Sequence, residues 1–405
     1  MSSDIIEKDP SVNLQLGFLW IFGLANMVYL SIKIIIYFEC LVKTTNDDAH
    51  NTFLIFSNII YLVFLILQTV LLTYNKEAQF QSTFFLHFSI ASILAANFSI
   101  WYSSTINNMF AQGNTTHFQN RSCFHASEIQ KLLGRNLSIM LLPPQLEFCI
   151  LASTLLVSLW QNASKLQSLG QSSAFSEIHS DNNTTFNTRK MDGYDVLALI
   201  FGIFVNLPIL ISTVLLDFVY EWKNKDLIIV LDCSETLSAL CTCIIVYVCC
   251  QKLKSYSNSV RKQMIFREYI LILSSTGIMA YFTFGCLASM SGLTLSKSTI
   301  VSRIFGILET FLQTLLLVSY HRYTLREYGS KCIAACGMIL VITNLMYWLQ
   351  DSYNRNIFTK TRYIGFIEWH KMEILLVPLM VFYRFFSAMS AYSMYKKFKS
   401  YENVM

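Results

Sequence analysis

Runs of about 20 or more mostly apolar residues recur along this chain, each long enough to carry a helix across the hydrocarbon core of a bilayer. Ten runs qualify, near residues 14–38, 53–74, 81–103, 139–161, 193–219, 226–250, 268–292, 299–321, 331–353 and 369–395. Because lipid offers the backbone no hydrogen-bond partner, they predict an all-α, polytopic membrane protein of about ten transmembrane helices. Composition agrees: of 405 residues 54% are hydrophobic and 14% charged, more apolar side chain than a soluble core needs. The formal net charge of +5 is dispersed over many loops, with no basic stripe to suit a nucleic acid.

An even number of spans puts both termini on one side. A cytoplasmic N-terminus places Lys252, Lys254, Arg261, Lys262 and Arg267 inside, in keeping with the bias of basic residues toward that face. It also places the loop 104–138 outside, where Asn114-Thr-Thr, Asn120-Arg-Ser and Asn136-Leu-Ser are N-glycosylation acceptor patterns. Similar triplets at Asn162, Asn182 and Asn183 fall in an inside loop rich in Asn, Ser and Thr, where chance accounts for them. The expected organisation is a cytoplasmic N-terminus (1–13), a four-span half (14–162), a flexible cytoplasmic loop (163–192), a six-span half (193–398) and a cytoplasmic tail (399–405). The first run lacks a small-residue cleavage site and is expected to stay as a span.

A weak internal repeat links the two halves. Leu67-Gln68-Thr69-Val70-Leu71-Leu72 in span two is nearly repeated by Leu312-Gln313-Thr314-Leu315-Leu316-Leu317 in span eight. The spans that follow carry Asn97 with Trp101 and Asn344 with Trp348, and the next ones carry Glu147 and Glu373. Spans two, three and four thus match eight, nine and ten, and an even offset of six means a parallel repeat. A complete duplication would have twelve spans, so the chain reads as two short at its N-terminus.

No soluble-enzyme constellation is present: there is no Walker-type loop, no His-Glu-x-x-His and no Gly-x-Ser-x-Gly. Nothing in the pattern calls for a cofactor. Cys332 and Cys336 lie one helical turn apart with no further ligand near them in sequence, so no metal framework follows. The residues that need a physical explanation are polar ones inside the spans. Glu147 could load and release protons from a desolvated position, or cap its helix beside Pro143 and Pro144. Gln68, Asn97, Gln313 and Asn344 could line a hydrated path, or serve as interhelical hydrogen-bond glue. His87 and His370 could relay protons near neutrality, or rest at the interface. Asp217, Asp232 and Glu235 flank a short outer loop and are expected to be solvated if they reach the membrane surface. Arg384 needs a counter-charge or a snorkelling route, and Gly306 and Gly337 suit close helix packing.

These residues resemble those of the otopetrins, a family of proton channels. Glu147-Phe148, Leu151-Ala152-Ser153, Leu156 and Trp160-Gln161-Asn162 are similar to the family's Glu-Tyr…Trp-Lys-Asn helix. His87-Phe88 with Asn97 and Trp101 resembles the helix before it. Leu312-Gln313-Thr314-Leu315, then Asn344-Leu345, Trp348 and Asp351, then Pro378-Leu379 and Phe382-Tyr383-Arg384-Phe385 with Ser387, follow the family's order. The resemblance implies a homodimer of subunits with two similar helical halves, conducting protons inward when the outside is acidic. Family members have twelve spans, and often His where Ile374 stands here; His370, one turn away on the same face, is the candidate substitute.

The reading that follows is a proton-selective channel of the cell membrane. Its proton-path candidates are Glu147, Gln68, Asn97, Gln313, Asn344, His370, Glu373, His87 and Asp351. Protons and a second copy of the chain are the expected partners, with membrane lipids or a sterol as further candidates. The alternatives are a proton-coupled transporter of a small solute, told apart by saturable uptake, and a non-conducting otopetrin-like protein, told apart by electrical silence.

Overall fold

A computed structural model describes residues 11–43, 48–76, 83–113, 138–170, 192–218, 225–261, 264, 266–290, 297–325, 330–353 and 369–401. Ten long helices occupy nearly all of these residues. They are α1 (Val12–Lys43), α2 (Asp48–Tyr74), α3 (Phe84–Gly113), α4 (Ser138–Gly170), α5 (Gly193–Phe218), α6 (Lys225–Tyr256), α7 (Phe266–Met290), α8 (Lys297–Arg322), α9 (Lys331–Tyr353) and α10 (Trp369–Tyr401). An antiparallel ribbon of β1 (Ser257–Arg261) and β2 (Tyr323–Leu325), just beyond the ends of α6 and α8, is among the described residues the one departure from the all-α expectation.

Local chemistry starts several helices where the sequence changes character. Thr83 accepts the Leu86 amide through Oγ1 ahead of α3, and Ser330 accepts the Ile333 amide through Oγ ahead of α9. Before α5, Asp192 and Asp195 form a reciprocal cap: the Asp192 carbonyl accepts the Asp195 amide while Asp195 Oδ2 accepts the Asp192 amide.

Over their described residues α1–α3 and α5–α9 are long and apolar enough to cross a membrane, and α4 carries a shorter apolar stretch, Pro144–Trp160. The last helix differs for a reason visible in its surroundings. From Leu376 to Tyr395 nearly every side chain of α10 is buried, including Ser387, Ser390 and Ser393. It is enclosed by protein rather than lipid, so polar residues cost it less than they would cost a lipid-facing span.

The chain forms two compact units, Val12–Arg189 and a second within Lys190–Met405. In the first, α1 packs on α2 and α4, and α4 packs on α3 and α2. In the second, α7 packs on α8 and α10, and α10 packs on α9 and α8. The same four pairings occur in the same order with an offset of six helices, so the repeat seen in the sequence is a repeat of packing. The helices α5 and α6 are additional; α5 packs on α9 and α6, and α6 packs on α8 and α9.

Small residues set how closely the second unit's helices approach. A β-carbon on Gly277 of α7 would lie 2.6 Å from Leu379 Cβ of α10, and one on Gly306 of α8 would lie 2.8 Å from the Phe282 ring. Gly337 of α9 lies against α10 backbone, its virtual β-carbon 3.2 Å from the Tyr395 nitrogen. Gly306 and Gly337 therefore do what their positions in sequence suggested. At the end of α10, Lys399 pairs with Asp195 of α5 and donates to Tyr395. Partial burial works against the Lys399 charge, but the Asp195 carboxylate and the Tyr395 hydroxyl hold its pKa above the ordinary lysine value.

Candidate polar sites within the two units

In the first unit the apolar spans enclose a set of polar side chains. Gln68 of α2 is 3% exposed and Asn97 of α3 is fully buried. Neither amide oxygen nor amide nitrogen of either residue has a hydrogen-bond partner among the described residues. A buried amide left unpaired costs about 1–3 kcal/mol, so such groups in a stable fold ordinarily hold water. Glu147 is likewise buried, more than two turns beyond the start of α4 at Ser138. The dipole effect fades within the first turn, so helix capping, one of the two roles its sequence position allowed, does not fit it. Nearby elements hold a connected network: Asn26 donates to the Tyr61 hydroxyl at 2.9 Å, Tyr61 meets Gln145 and Cys149, and Gln145 donates to Ser104 at 2.9 Å.

The His87 ring of α3 lies 5.5 Å from the Trp160 ring of α4, centroid to centroid. The indole face is an attractive surface for an imidazolium and an acceptable one for neutral imidazole.

The second unit repeats the amide pattern. Gln313 of α8 and Asn344 of α9 are fully buried. Both polar atoms of Gln313 lack partners among the described residues, whereas Asn344 donates to Leu340 O at 2.8 Å and leaves only its oxygen unpaired. One turn before Gln313, the Thr310 carbonyl accepts the Tyr383 hydroxyl at 3.1 Å.

The second unit also contains a charged cluster. Arg384 of α10 donates through Nη1 to both carboxylate oxygens of Glu309 on α8, at 2.8 and 3.0 Å. Its guanidinium lies 4.3 Å over the Tyr347 ring, and its Nε is 4.0 Å from Asp351 Oδ2 on α9. Glu235 of α6 accepts Gln350 Nε2 at 2.7 Å and Ser302 Oγ at 3.0 Å, with Arg303 Nη1 at 4.0 Å. The neighbouring Asp232 accepts the Ser298 and Thr299 hydroxyls at 3.0 and 2.6 Å, in the first turn of α8.

Two residues depart from the sequence expectation. Asp232 and Glu235 are buried at 0% and 9% exposure rather than solvated, because α6 turns both toward hydroxyls on α8. Arg384 has a counter-charge in Glu309, which the motifs did not single out; an acid one turn before Gln313 in a span otherwise apolar was the available signal. The candidate residues also fall into two sets, Gln68, Asn97, His87 and Glu147 in one unit and Gln313, Asn344 and Asp351 in the other. The side chains of His370, Glu373 and Asp217 lie outside the described ones, as do Asn114, Asn120 and Asn136. Among the described residues, no group of three or more His, Cys, Asp or Glu side chains is placed to hold a metal ion.

The sequence model of the Otopetrin family matches residues 102–385. No curated protein matches the chain.

Proposed function

Because this chain belongs to the otopetrin family, a family of proton channels, we propose that it conducts protons into the cell when the outside is acidic. It is a multi-pass membrane protein with proton-channel-like function. The finer reading is a proton-selective channel of the cell membrane, assembled as a homodimer, with both termini cytoplasmic and the 104–138 loop glycosylated.

The observation that carries the reading is the recurrence of buried carboxamides at matched places in the two units. Gln68 and Asn97 in one, and Gln313 and Asn344 in the other, present amide atoms with no protein partner among the described residues. Water satisfies such atoms at low cost, and an amide can both donate to and accept from that water. A proton moves along hydrogen-bonded water without carrying its own hydration shell, so a narrow hydrated thread suffices where a larger ion would be stripped. In the first unit Glu147 is the titratable group on that thread, with His87 against Trp160 as a further relay. In the second unit Asp351 takes the titratable role, and His370 and Glu373 complete the candidate set.

The test is whole-cell recording during acidification of the bath. The expected result is an inward current whose reversal potential follows the proton gradient, reduced strongly in Glu147→Gln. A surface-expressed protein with no acid-evoked current overturns the reading, and an undiminished current in Glu147→Gln removes Glu147 from the path.

A further inference from the structure

Three cysteines of the second unit form a series of sulfurs running from its interior to its surface. Cys249 of α6 and Cys336 of α9 are buried, and Cys332, one turn earlier on α9, is exposed. The Cys249 thiol meets that of Cys336, the Cys336 thiol meets that of Cys332, and all three are free thiols. Topology brings them together. After α6 ends, α7 and α8 carry the chain across and back, so α9 starts on the side where α6 stops. Cys249 lies five residues before its span ends at Lys254, and Cys336 lies five residues after its span begins at Lys331. With a rise of about 1.5 Å per residue, both sit about 7 Å inside the same face, and α6 and α9 pack on each other.

A buried cysteine ordinarily acts as a small apolar filler, and an exposed one alone says nothing. Here the exposed thiol and the buried pair are in series. Among the described residues the group is not placed to hold a metal ion, so the chemistry open to it is thiol–disulfide exchange. Cys336 is the shared member and can bond to Cys332 or to Cys249, but not to both. The two bonds differ in strain. Side chains one turn apart on a helix have β-carbons about 5–6 Å apart, whereas a disulfide needs about 3.5–4.5 Å. A Cys332–Cys336 bond therefore distorts the first turns of α9, and a strained disulfide is the more readily broken. A Cys249–Cys336 bond joins two helices and is not held to that fixed spacing.

We infer that these residues form a peroxide-responsive thiol relay, in which oxidation enters at Cys332 and ends as a Cys249–Cys336 disulfide tying α6 to α9. In the first step the Cys332 sulfur attacks hydrogen peroxide. An S–O bond forms, the O–O bond breaks, and the departing hydroxide leaves as water with the thiol proton, giving a sulfenic acid. Cys336 then displaces the sulfenic oxygen, which leaves as a second water with the Cys336 proton. Cys249 next attacks the Cys336 sulfur, and Cys332 departs as a thiol carrying the Cys249 proton. Two thiols have together lost two electrons, one peroxide has become two waters, and the last exchange is redox-neutral. The same exposed residue resets the site. Cys332 reopens the interhelical bond, a small cellular thiol such as glutathione attacks Cys332, and a second equivalent frees it as the small-molecule disulfide. In the orientation proposed above this face is cytoplasmic, where disulfides are rare and typically serve as transient redox sensors. The relay itself does not depend on proton conduction.

Peptide mass mapping of unreduced digests reads the state of each cysteine. It is applied to the full chain from cells alkylated before lysis, and to the purified full chain in lipid nanodiscs treated with hydrogen peroxide. The expected result is three thiols in untreated cells, and after peroxide a Cys249–Cys336 cross-link with Cys332 recovered as a thiol. Cys332→Ser slows both the formation of that cross-link and its removal by glutathione, each by about tenfold or more. Cys250→Ser, next to Cys249 in sequence, changes neither rate. Cys249→Ser holds the oxidation on α9, as a Cys332–Cys336 bond or a Cys332 sulfenic acid; if that variant does not fold, Cys249→Ala takes its place. A cross-link already complete in untreated cells overturns the inference, because the bond is then structural. So does peroxide chemistry confined to Cys332 in the wild type, with Cys249 and Cys336 left as thiols, or a Cys332→Ser variant with unchanged rates. A reversible cross-link in a protein that passes no acid-evoked current sinks the channel reading and leaves the relay standing. Current without the cross-link does the reverse.

Discussion

Arg384 on α10 and Glu309 on α8 form an ion pair in which one guanidinium nitrogen reaches both carboxylate oxygens, with side chains 2% and 1% exposed. Removing one partner strands the other charge in a medium that cannot solvate it. Arg384→Met and Glu309→Gln are each expected to cost about 3–5 kcal/mol, seen as a large loss of folded yield and of Tm in detergent. The double change Arg384→Met with Glu309→Leu removes both charges and is expected to recover most of that loss. A double variant as unstable as the sum of the singles would show that the pair does not act as a unit.

Gly277 on α7 faces Leu379 on α10 with no room for a side chain. A β-carbon there would come within 2.6 Å of Leu379 Cβ, which is too near the backbone to swing aside. Gly277→Ala is expected to cost about 1–3 kcal/mol through overpacking, and Leu379→Ala in the same chain is expected to relieve part of it. Thermal unfolding of the four proteins checks this. No loss in Gly277→Ala alone would mean that the helices separate freely at this point.

The all-α membrane fold and the parallel repeat were legible in sequence because bilayer thickness fixes span length and the Gln and Asn positions recur at similar separation. Glu147 was legible as a buried carboxylate because charge within an apolar run needs a reason. The cluster around Arg384 was only half legible. Arg384 announced a missing partner, but which acid meets it depends on how α8 and α10 cross, and no local pattern encodes that. Glu235 and Asp232 were misread for the same reason: near a loop in sequence, they point sideways to α8 hydroxyls in space.

Lys399 and Asp195 hold the end of α10 to the start of α5. The Lys399 pKa is raised in the folded chain, so its stabilisation is fully present below the ordinary lysine range and is lost as pH climbs through the raised value. Lys399→Met is expected to lower stability by about 1 kcal/mol near neutrality, allowing for solvent screening of a partly exposed pair. The gap from the wild type should close only at strongly alkaline pH. A gap that instead closes between mildly acid and neutral pH would point to a different titrating group.

The His87 and Trp160 rings separate packing from chemistry. His87→Phe keeps an aromatic ring beside the indole, at 5.5 Å in the wild type, and deletes only the titratable nitrogens. If His87 relays protons, His87→Phe lowers the acid-evoked current while stability stays within about 0.5 kcal/mol of the wild type. His87→Ala should lower both. An unchanged current in a stably expressed His87→Phe channel would confine this histidine to packing.

Gln68 and Gln313 give the sharpest division between a hydrated path and structural glue. Each is buried with both amide atoms unpartnered among the described residues, so replacing the amide by leucine removes a buried polar group that only water satisfies and breaks no hydrogen bond to a described residue. Gln68→Leu and Gln313→Leu are therefore expected to leave stability unchanged or raised by about 1 kcal/mol. Glue would give the opposite sign, a loss of up to about 1 kcal/mol. Current answers the second half. With a separate thread in each unit, either single change removes part of the acid-evoked current and the double change removes nearly all of it. If one single change abolishes current and the other leaves it intact, only one unit conducts. If the double mutant conducts fully at wild-type stability, neither amide lies on the path.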